Sequence, residues 1–166
     1  AAAKQNPEWT VAVLDCDPQR SASDWWKLAD SVDDSPAFSV VTDAGDVDAD
    51  LLIVDTAPGS GSGISEAVTM ADLVIVPTEA ETMSMFRAKK TIDAVGSKGW
   101  LLLTKARRRT RLWADTVEAI EQTGVRCFKT FVPDGVKYKG FATNPSDLGA
   151  YTDLWLEIRT IVERGN

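Results

Sequence analysis

The sequence predicts an α/β fold in which a mostly parallel, twisted sheet carries helices on both faces. Short apolar runs alternate along the chain with longer segments of helical periodicity, and the connections between them are short. The apolar runs are continuous, which is typical of parallel strands buried on both faces. With 166 residues and no repeats or linkers, the chain is expected to form a single domain, residues 1–166.

Six apolar runs predict the strands, and the segments between them predict the helices. The strands are expected at 9–14, 38–41, 51–54, 73–76, 100–103 and 127–132. The helices are expected at about 21–29, 64–70, 83–95, 112–123 and 148–162, after a short helical tail at 1–5. Ser21 or Ser23 is expected to cap the first of these helices, Pro77 to end the fourth strand, and Gly124 to stop the fourth helix.

Composition excludes several classes of site. The net charge of −7 disfavours binding to nucleic acid or anionic membranes, except through a local basic patch. The absence of histidine excludes imidazole zinc sites and His-based triads. Cys16 and Cys127 are too few and too far apart for a disulfide framework, which indicates a reducing cytoplasm. No apolar run approaches the ~20 residues that span a membrane.

Acidic side chains follow two of the predicted strands. Asp15 and Asp17 end the first strand and Asp55 ends the third. Ligands of open α/β sheets bind beyond the carboxyl ends of the strands, so these acids lie where chemistry is expected. The run LLIVDTAPG at 51–59 has a second explanation when it is taken by itself. In that case Asp55 only caps the loop that follows a buried strand.

Five segments together resemble the ParA/MinD family of deviant P-loop ATPases, closest to the small ParA-type DNA partition proteins. They are DCDPQRSASDW at 15–25, LLIVDTAPGSGS at 51–62, ADLVIVP at 71–77, LLLTKARRR at 101–109 and FKTFVPD at 128–134. The resemblance therefore implies a P-loop NTPase-like sheet, and it extends over nearly the whole chain.

The resemblance also implies roles for individual residues. Asp17 matches the switch position that orients the attacking water, Asp15 the acid nearer the magnesium, and Asp55 the Walker B aspartate that holds it. Gly59 matches the glycine that senses the γ-phosphate. Thr104 and Lys105 match a strand end that approaches the adenine, and a loop that closes over the base is matched by Val132, Pro133 and Asp134.

The family's activity is slow ATP hydrolysis with Mg²⁺, which times dimerisation and DNA binding. The resemblance therefore implies an ATP-dependent homodimer, non-specific DNA, a centromere-binding partner protein and no membrane. It also implies a bacterial cytoplasm with association to the nucleoid. Two other functions stay open: a P-loop-less, non-hydrolysing relative or fragment that binds DNA or a partner, and a MinD-like positioning ATPase.

The sequence departs from the family at its start. Family members open with a strand and a glycine-rich P-loop of the form KGGxGKT[ST], and nothing of that form occurs in these residues. We expect the domain to be N-terminally incomplete here, without its first strand and P-loop, and this chain alone to be inactive. In this family the missing strand lies in the middle of the sheet, so two strand edges would lack partners.

One basic cluster follows the fifth strand. It consists of Lys105, Arg107, Arg108, Arg109 and Arg111. Two explanations of this cluster stay open. It is either a solvated loop beside an acidic domain or a site of non-specific contact with DNA phosphates. The latter use would resemble how partition ATPases hold the nucleoid, and Lys137 and Lys139 could extend the same patch.

Overall fold

The structure is a computed structural model that describes residues 1–32, 36–45, 47–57, 62–136 and 147–165. The chain forms two compact units, the first mainly Ala1–Thr69 and the second mainly Met70–Lys139 and Leu148–Asn166. The expectation of a single domain stays a prediction. In the described part of the chain no helix combines the length and apolar character that crossing a bilayer requires.

The first unit contains a three-stranded parallel sheet with β1 in the middle. Its strands are β1 (Val11–Asp15), β2 (Ser39–Val41) and β3 (Leu51–Asp55), in the order β2-β1-β3. Its helices are α1 (Ala2–Gln5), α2 (Ser21–Ser31) and α3 (Ser62–Met70). Four of the five β1 residues are buried, as expected for a central strand, whereas Leu52 and Ile53 of β3 are exposed.

The second unit contains a two-stranded parallel sheet with helices on both faces. Its elements are β4 (Val74–Glu79), α4 (Thr82–Val95), β5 (Gly99–Thr104), α5 (Arg111–Thr123) and α6 (Ala150–Gly165). Leu101 and Leu103 of β5 pack with residues of α4 and α5. Leu102 lies between them in sequence and packs with residues of α6 on the other face. The two-sided burial inferred from the sequence is therefore confirmed for this unit.

Two strand predictions were wrong in their extent. Strand β4 continues through Pro77 to Glu79, and Pro77 pairs in register with Leu102 of β5. A proline is compatible with a strand at positions where no ladder hydrogen bond needs its missing N–H. Residues 127–132 run beside β5 but do not form a regular strand. The N–H groups of Lys129 and Thr130 donate to the carboxylate of Glu157, at 2.7 and 2.9 Å, instead of extending the ladder.

Helix ends largely follow the sequence signals. Gly124 ends α5 with a left-handed φ of 64°, and the hydroxyl of Thr110 caps its start. The prediction that Ser21 or Ser23 caps α2 was wrong, because both residues lie inside the helix and Arg20 occupies the cap position. Arg20 has a left-handed φ of 54° and makes no side-chain capping bond. The capping acceptor therefore comes from elsewhere in the chain.

The described strands form two sheets. Within the described residues, β3 has a strand partner only in β1, and β4 has one only in β5. The outer edges of β3 and β4 therefore have no described strand beside them. The expectation that a further strand belongs to the sheet stays a prediction.

Candidate functional site

Three predicted acids lie together at the carboxyl edge of the first unit's sheet. Asp15 and Asp55 end β1 and β3 and pair in register. The N–H of Cys16 donates to the carbonyl of Asp55 at 2.8 Å, so the two strand ends stay side by side. Asp17 follows two residues after Asp15, and repulsion from its charge raises the pKa of Asp55.

Asp15 is fully buried, and protein donors occupy both its carboxylate oxygens. Its Oδ2 accepts the N–H of Ser23 at 2.9 Å and the hydroxyl of Ser23 at 2.5 Å. Its Oδ1 accepts the N–H of Asp17 at 3.3 Å. The hydroxyl bond from Ser23 is the largest of several contacts that hold the pKa of Asp15 below its ordinary value, and burial only partly opposes them. Asp15 is therefore ionised, and hydrogen bonds from the protein satisfy its carboxylate.

Asp17 presents one fixed oxygen and one open oxygen. Its Oδ1 accepts the N–H of Gln19 at 2.8 Å, and its carbonyl accepts the N–H of Arg20 at 2.9 Å, which closes a tight turn. No described residue donates a hydrogen bond to its Oδ2. The turn thus orients the side chain and leaves an acceptor available, as a residue that positions a water molecule requires.

Asp55 differs from both neighbours. It is half-buried, and no donor in the described ranges bonds its carboxylate. Burial raises its pKa, and repulsion from the charges of Asp15 and Asp17 raises it further. A cation placed beside it would relieve both effects.

The donor set fits Mg²⁺ held in part by other ligands. The described residues contain no group of three or more acidic, cysteine or histidine side chains arranged to hold a metal ion unaided. Mg²⁺ in nucleotide enzymes binds one or two carboxylates and takes its remaining ligands from phosphates and water. Asp55 suits that role. The metal-side role implied for Asp15 stays a prediction, as does the phosphate-sensing role of Gly59, which lies outside the described residues.

A second candidate site is a cavity of about 210 Å³ in the second unit. It is lined by Thr104, Lys105, Val132, Pro133, Asp134, Gly135 and Tyr151. The structure therefore brings together all five residues that the resemblance associates with the adenine. Sequence reasoning missed Gly135 and Tyr151, and Tyr151 also packs on a hydrophobic core cluster of the second unit.

Backbone bonds hold the two loops of this cavity together. The N–H of Ala106 donates to the carbonyl of Val132 at 3.0 Å, and the N–H of Asp134 donates to the carbonyl of Ala106 at 3.1 Å. Lys105 takes a left-handed φ of 49° where the chain leaves β5.

A larger cavity of about 380 Å³ includes Leu73 and Trp100, at the amino ends of β4 and β5, where parallel sheets do not usually bind ligands.

Carboxylates pair with three of the five cations in the basic cluster. Lys105 contacts Glu79 at 2.5 Å, and this hydrogen bond raises the pKa of Lys105. Arg107 contacts Asp134 at 2.5 Å. The third pair is Arg111 with Asp115, at 3.8 Å.

The other two cations of the cluster have no carboxylate partner among the residues that the structure describes. The guanidinium of Arg108 lies over the ring of Phe131, 5.2 Å from its centroid. Arg109 is exposed, and no carboxylate in the described part of the chain pairs with it. Among the described cations of the cluster, these two are the ones left for contact with DNA phosphates. Lys137 and Lys139, which were expected to extend the patch, lie outside the described residues.

Two proteins named as ParA match the chain in sequence. Protein ParA of Rhizobium radiobacter is 27% identical over 96 residues, covering 53% of this chain and 43% of that protein. A ParA family protein of Mycoplasma pneumoniae is 31% identical over 80 residues, covering 43% of this chain and 30% of that protein. The chain thus spans less than half the length of these relatives. The matches confirm the resemblance to ParA-type proteins, although no family model matches the chain.

Two crystal structures share the fold. A plasmid partition protein of Borrelia burgdorferi B31, bound to AMPPNP, has a TM-score of 0.71 and 12% identity, covering 98% of this chain and 90% of that one. A plasmid partition protein from Borrelia burgdorferi has a TM-score of 0.65 and 14% identity, covering 94% and 89%. At such identities the likeness concerns the fold alone, and it confirms the predicted α/β class.

Proposed function

We propose that the chain is part of a ParA-type ATPase of a DNA partition system. The protein binds ATP with Mg²⁺, hydrolyses it slowly, and uses the bound nucleotide to control dimerisation and DNA binding. The relatives named ParA and the partition proteins of the same fold support this proposal. The nucleotide-bound neighbour adds support, since AMPPNP is an ATP analogue.

The proposal rests on a difference among the three strand-end acids in how far protein donors occupy their carboxylate oxygens. Protein donors occupy Asp15, whereas Asp17 keeps an open oxygen and Asp55 has no described donor. Phosphoryl transfer needs a group that positions water and a group that holds the metal, more than it needs covalent chemistry. Asp17 and Asp55 provide these two groups. Mg²⁺, when bound, neutralises the charge that develops on the phosphate oxygens.

The cavity of the second unit is proposed to take the adenine. Val132, Pro133 and Tyr151 offer apolar surface to the faces of a base, and Thr104 and Asp134 add polar groups for its edge. Its volume of about 210 Å³ suits one base rather than a whole nucleotide. Each unit is thus assigned its own chemistry, and the two assignments can be tested separately.

The partners follow from the proposed role. We expect an ATP-dependent homodimer, non-specific DNA held through Arg108 and Arg109, and a centromere-binding partner protein. We also expect the protein in a bacterial cytoplasm, at the nucleoid. These expectations rest on the ParA resemblance and on the two exposed arginines whose charge no described carboxylate offsets.

The decisive experiment compares native full-length protein with its Asp17→Ala variant. We expect both to bind a fluorescent ATP analogue with similar affinity, and the variant to lose turnover by about 100-fold or more, as for loss of a group that positions the nucleophile. Asp48→Ala is the matched control, because Asp48 is exposed and precedes β3, at the opposite end of that strand from Asp55. Turnover that survives in Asp17→Ala contradicts the role of Asp17. Wild-type protein that does not bind ATP contradicts the function.

A further inference from the structure

Helix α2 begins without a capping side chain of its own. Arg20 occupies its N-cap position in a left-handed conformation and makes no side-chain capping bond. The first N–H groups of a helix have no partner inside it, so they require an acceptor from outside or water. Ser23, in the first turn, is buried, which excludes bulk water as its partner.

Asp15 supplies the missing acceptor from the end of β1. Its Oδ2 accepts both the N–H and the hydroxyl of Ser23, eight residues later in the sequence. A carboxylate at a helix N-terminus is also favoured by the helix dipole. Both side chains are buried, Asp15 at 0% and Ser23 at 8% exposure, so the contact is shielded from solvent screening.

The same carboxylate also holds the segment between β1 and α2. Residues 16–20, here called the Asp17 loop, leave β1 at Asp15 and enter α2 after Arg20. At the start of this loop, Oδ1 of Asp15 accepts the N–H of Asp17. After its end, Oδ2 holds Ser23. The guanidinium of Arg20 donates to the carbonyl of Asp15, so Asp15 bonds the loop at Asp17 and Arg20 and the helix after it at Ser23.

We propose that Asp15 is a positioning residue that sets the orientation of Asp17 through its bonds to Ser23 and to the N–H of Asp17. The inference rests on the proposed function, because it assigns Asp15 and Ser23 to the support of the water-orienting acid. It also gives Asp15 a role different from a direct magnesium ligand. Its carboxylate oxygens accept hydrogen bonds from the protein, whereas no described residue donates one to the carboxylate of Asp55.

The first test measures the loop directly and does not depend on catalysis. Hydrogen exchange is followed by mass spectrometry in nucleotide-free protein, on peptides that span residues 15–24. We expect Ser23→Ala and Asp15→Asn to speed exchange in these peptides about tenfold or more, because each removes hydrogen bonds to a charged group. Peptides of β5 and α5 should exchange as in the wild type. Ser21→Ala is the matched control, since Ser21 is exposed in the same helical turn.

The second test separates positioning from metal binding. If Asp15 positions Asp17, Ser23→Ala lowers kcat about tenfold and leaves the KM for MgATP within about twofold of wild type. If Ser23→Ala leaves both kcat and loop exchange unchanged, the inference is wrong. It is also wrong if Asp15→Asn raises the Mg²⁺ requirement without changing loop exchange.

The two tests distinguish the inference from the proposed function. Wild-type protein without turnover contradicts the function, but the exchange comparison still decides whether Asp15 and Ser23 fix the loop. Ser23→Ala removes only one hydroxyl and keeps the backbone donor, so this variant decides the question if Asp15→Asn does not fold.

Discussion

Asp15 and Asp55 end neighbouring parallel strands in register, yet their surroundings shift their pKa values in opposite directions. Hydrogen bonds from Ser23 lower the pKa of Asp15, whereas burial and the charges of Asp15 and Asp17 raise that of Asp55. Two carboxylates whose environments separate their pKa values are typical of sites that give the two groups different tasks. Here the carboxylate of Asp15 accepts hydrogen bonds from the protein, whereas that of Asp55 is available to bind a cation.

The raised pKa of Asp55 predicts that this residue lowers the stability of the metal-free protein. Folding favours the protonated form of a carboxyl whose pKa is raised, so the charged form costs stability at pH 7. That cost disappears as the pH falls toward the ordinary value of 3.8. Asp55→Asn should therefore raise the free energy of unfolding at pH 7, by less than about 1 kcal/mol because solvent screens a half-buried group.

Chemical denaturation in the presence of EDTA tests this prediction between pH 7 and pH 4. The gain from Asp55→Asn should shrink as the pH falls, because the wild-type carboxyl becomes neutral like the amide. Asp48→Asn is the control, since Asp48 is exposed in the same unit and should change stability little at either pH. A variant less stable than wild type at pH 7 would show that Asp55 makes a favourable contact.

The adenine assignment predicts a loss of nucleotide affinity when Tyr151 is truncated. Tyr151 lines the cavity of the second unit and also packs on the core formed by Leu154 and its neighbours. Tyr151→Ala should weaken binding of a fluorescent ATP analogue about three- to tenfold, as for the loss of one aromatic contact. Thr160→Ala is the control on the exposed side of the same helix. Equal affinity in Tyr151→Ala at unchanged fold would place the base elsewhere.

Apolar continuity and strand-end acids were enough to predict the α/β class and the grouping of Asp15, Asp17 and Asp55. Both depend on local pattern, because parallel strands bring their carboxyl ends to one edge whatever the loops do. These predictions do not depend on the exact residues at which the helices and strands begin and end. The cavity residues came from the family resemblance instead of from local pattern, and the structure places Thr104 and Val132 on segments that run alongside one another.

Contacts between distant side chains could not be read from the sequence. The acceptor for Ser23 is Asp15, eight residues earlier, whereas a local rule expects serine itself to act as the cap. Arg107 belongs to a basic run in sequence, but its charge is matched by Asp134 from another loop. Periodicity cannot reveal such pairs, because they depend on how loops fold back.

Glu157 is predicted to stabilise the second unit by capping an interrupted strand. Its carboxylate accepts the N–H groups of Lys129 and Thr130 at 2.7 and 2.9 Å. Glu157→Ala leaves both donors without their acceptor and should lower the free energy of unfolding by about 1–3 kcal/mol. Glu163→Ala, on the same helix, removes an exposed pair with Arg159 and should change stability by less than about 0.5 kcal/mol. Thermal melts that rank the two variants equally would contradict this role.

Charge reversal at Arg108 and Arg109 should weaken binding to non-specific DNA. No carboxylate in the described ranges pairs with these two residues, whereas carboxylates already pair with Lys105, Arg107 and Arg111. In filter-binding or fluorescence assays with ATP, the double Glu variant should lose affinity about tenfold or more. The slope of log affinity against log salt should flatten by about two, one unit for each lost phosphate contact. ATP turnover should not change.

The matched control for this variant is the double reversal of Lys89 and Lys90 on α4, which changes the net charge by the same amount. Lys89 is exposed and pairs with Asp93 at 2.7 Å, and Lys90 lies over the ring of Phe86. If both double variants lose DNA affinity equally, net charge alone explains the effect and the arginine pair is not a DNA contact. If only the Arg108 and Arg109 variant loses affinity and flattens the salt slope, local phosphate binding explains it, because a loss that came from overall charge would not depend on position.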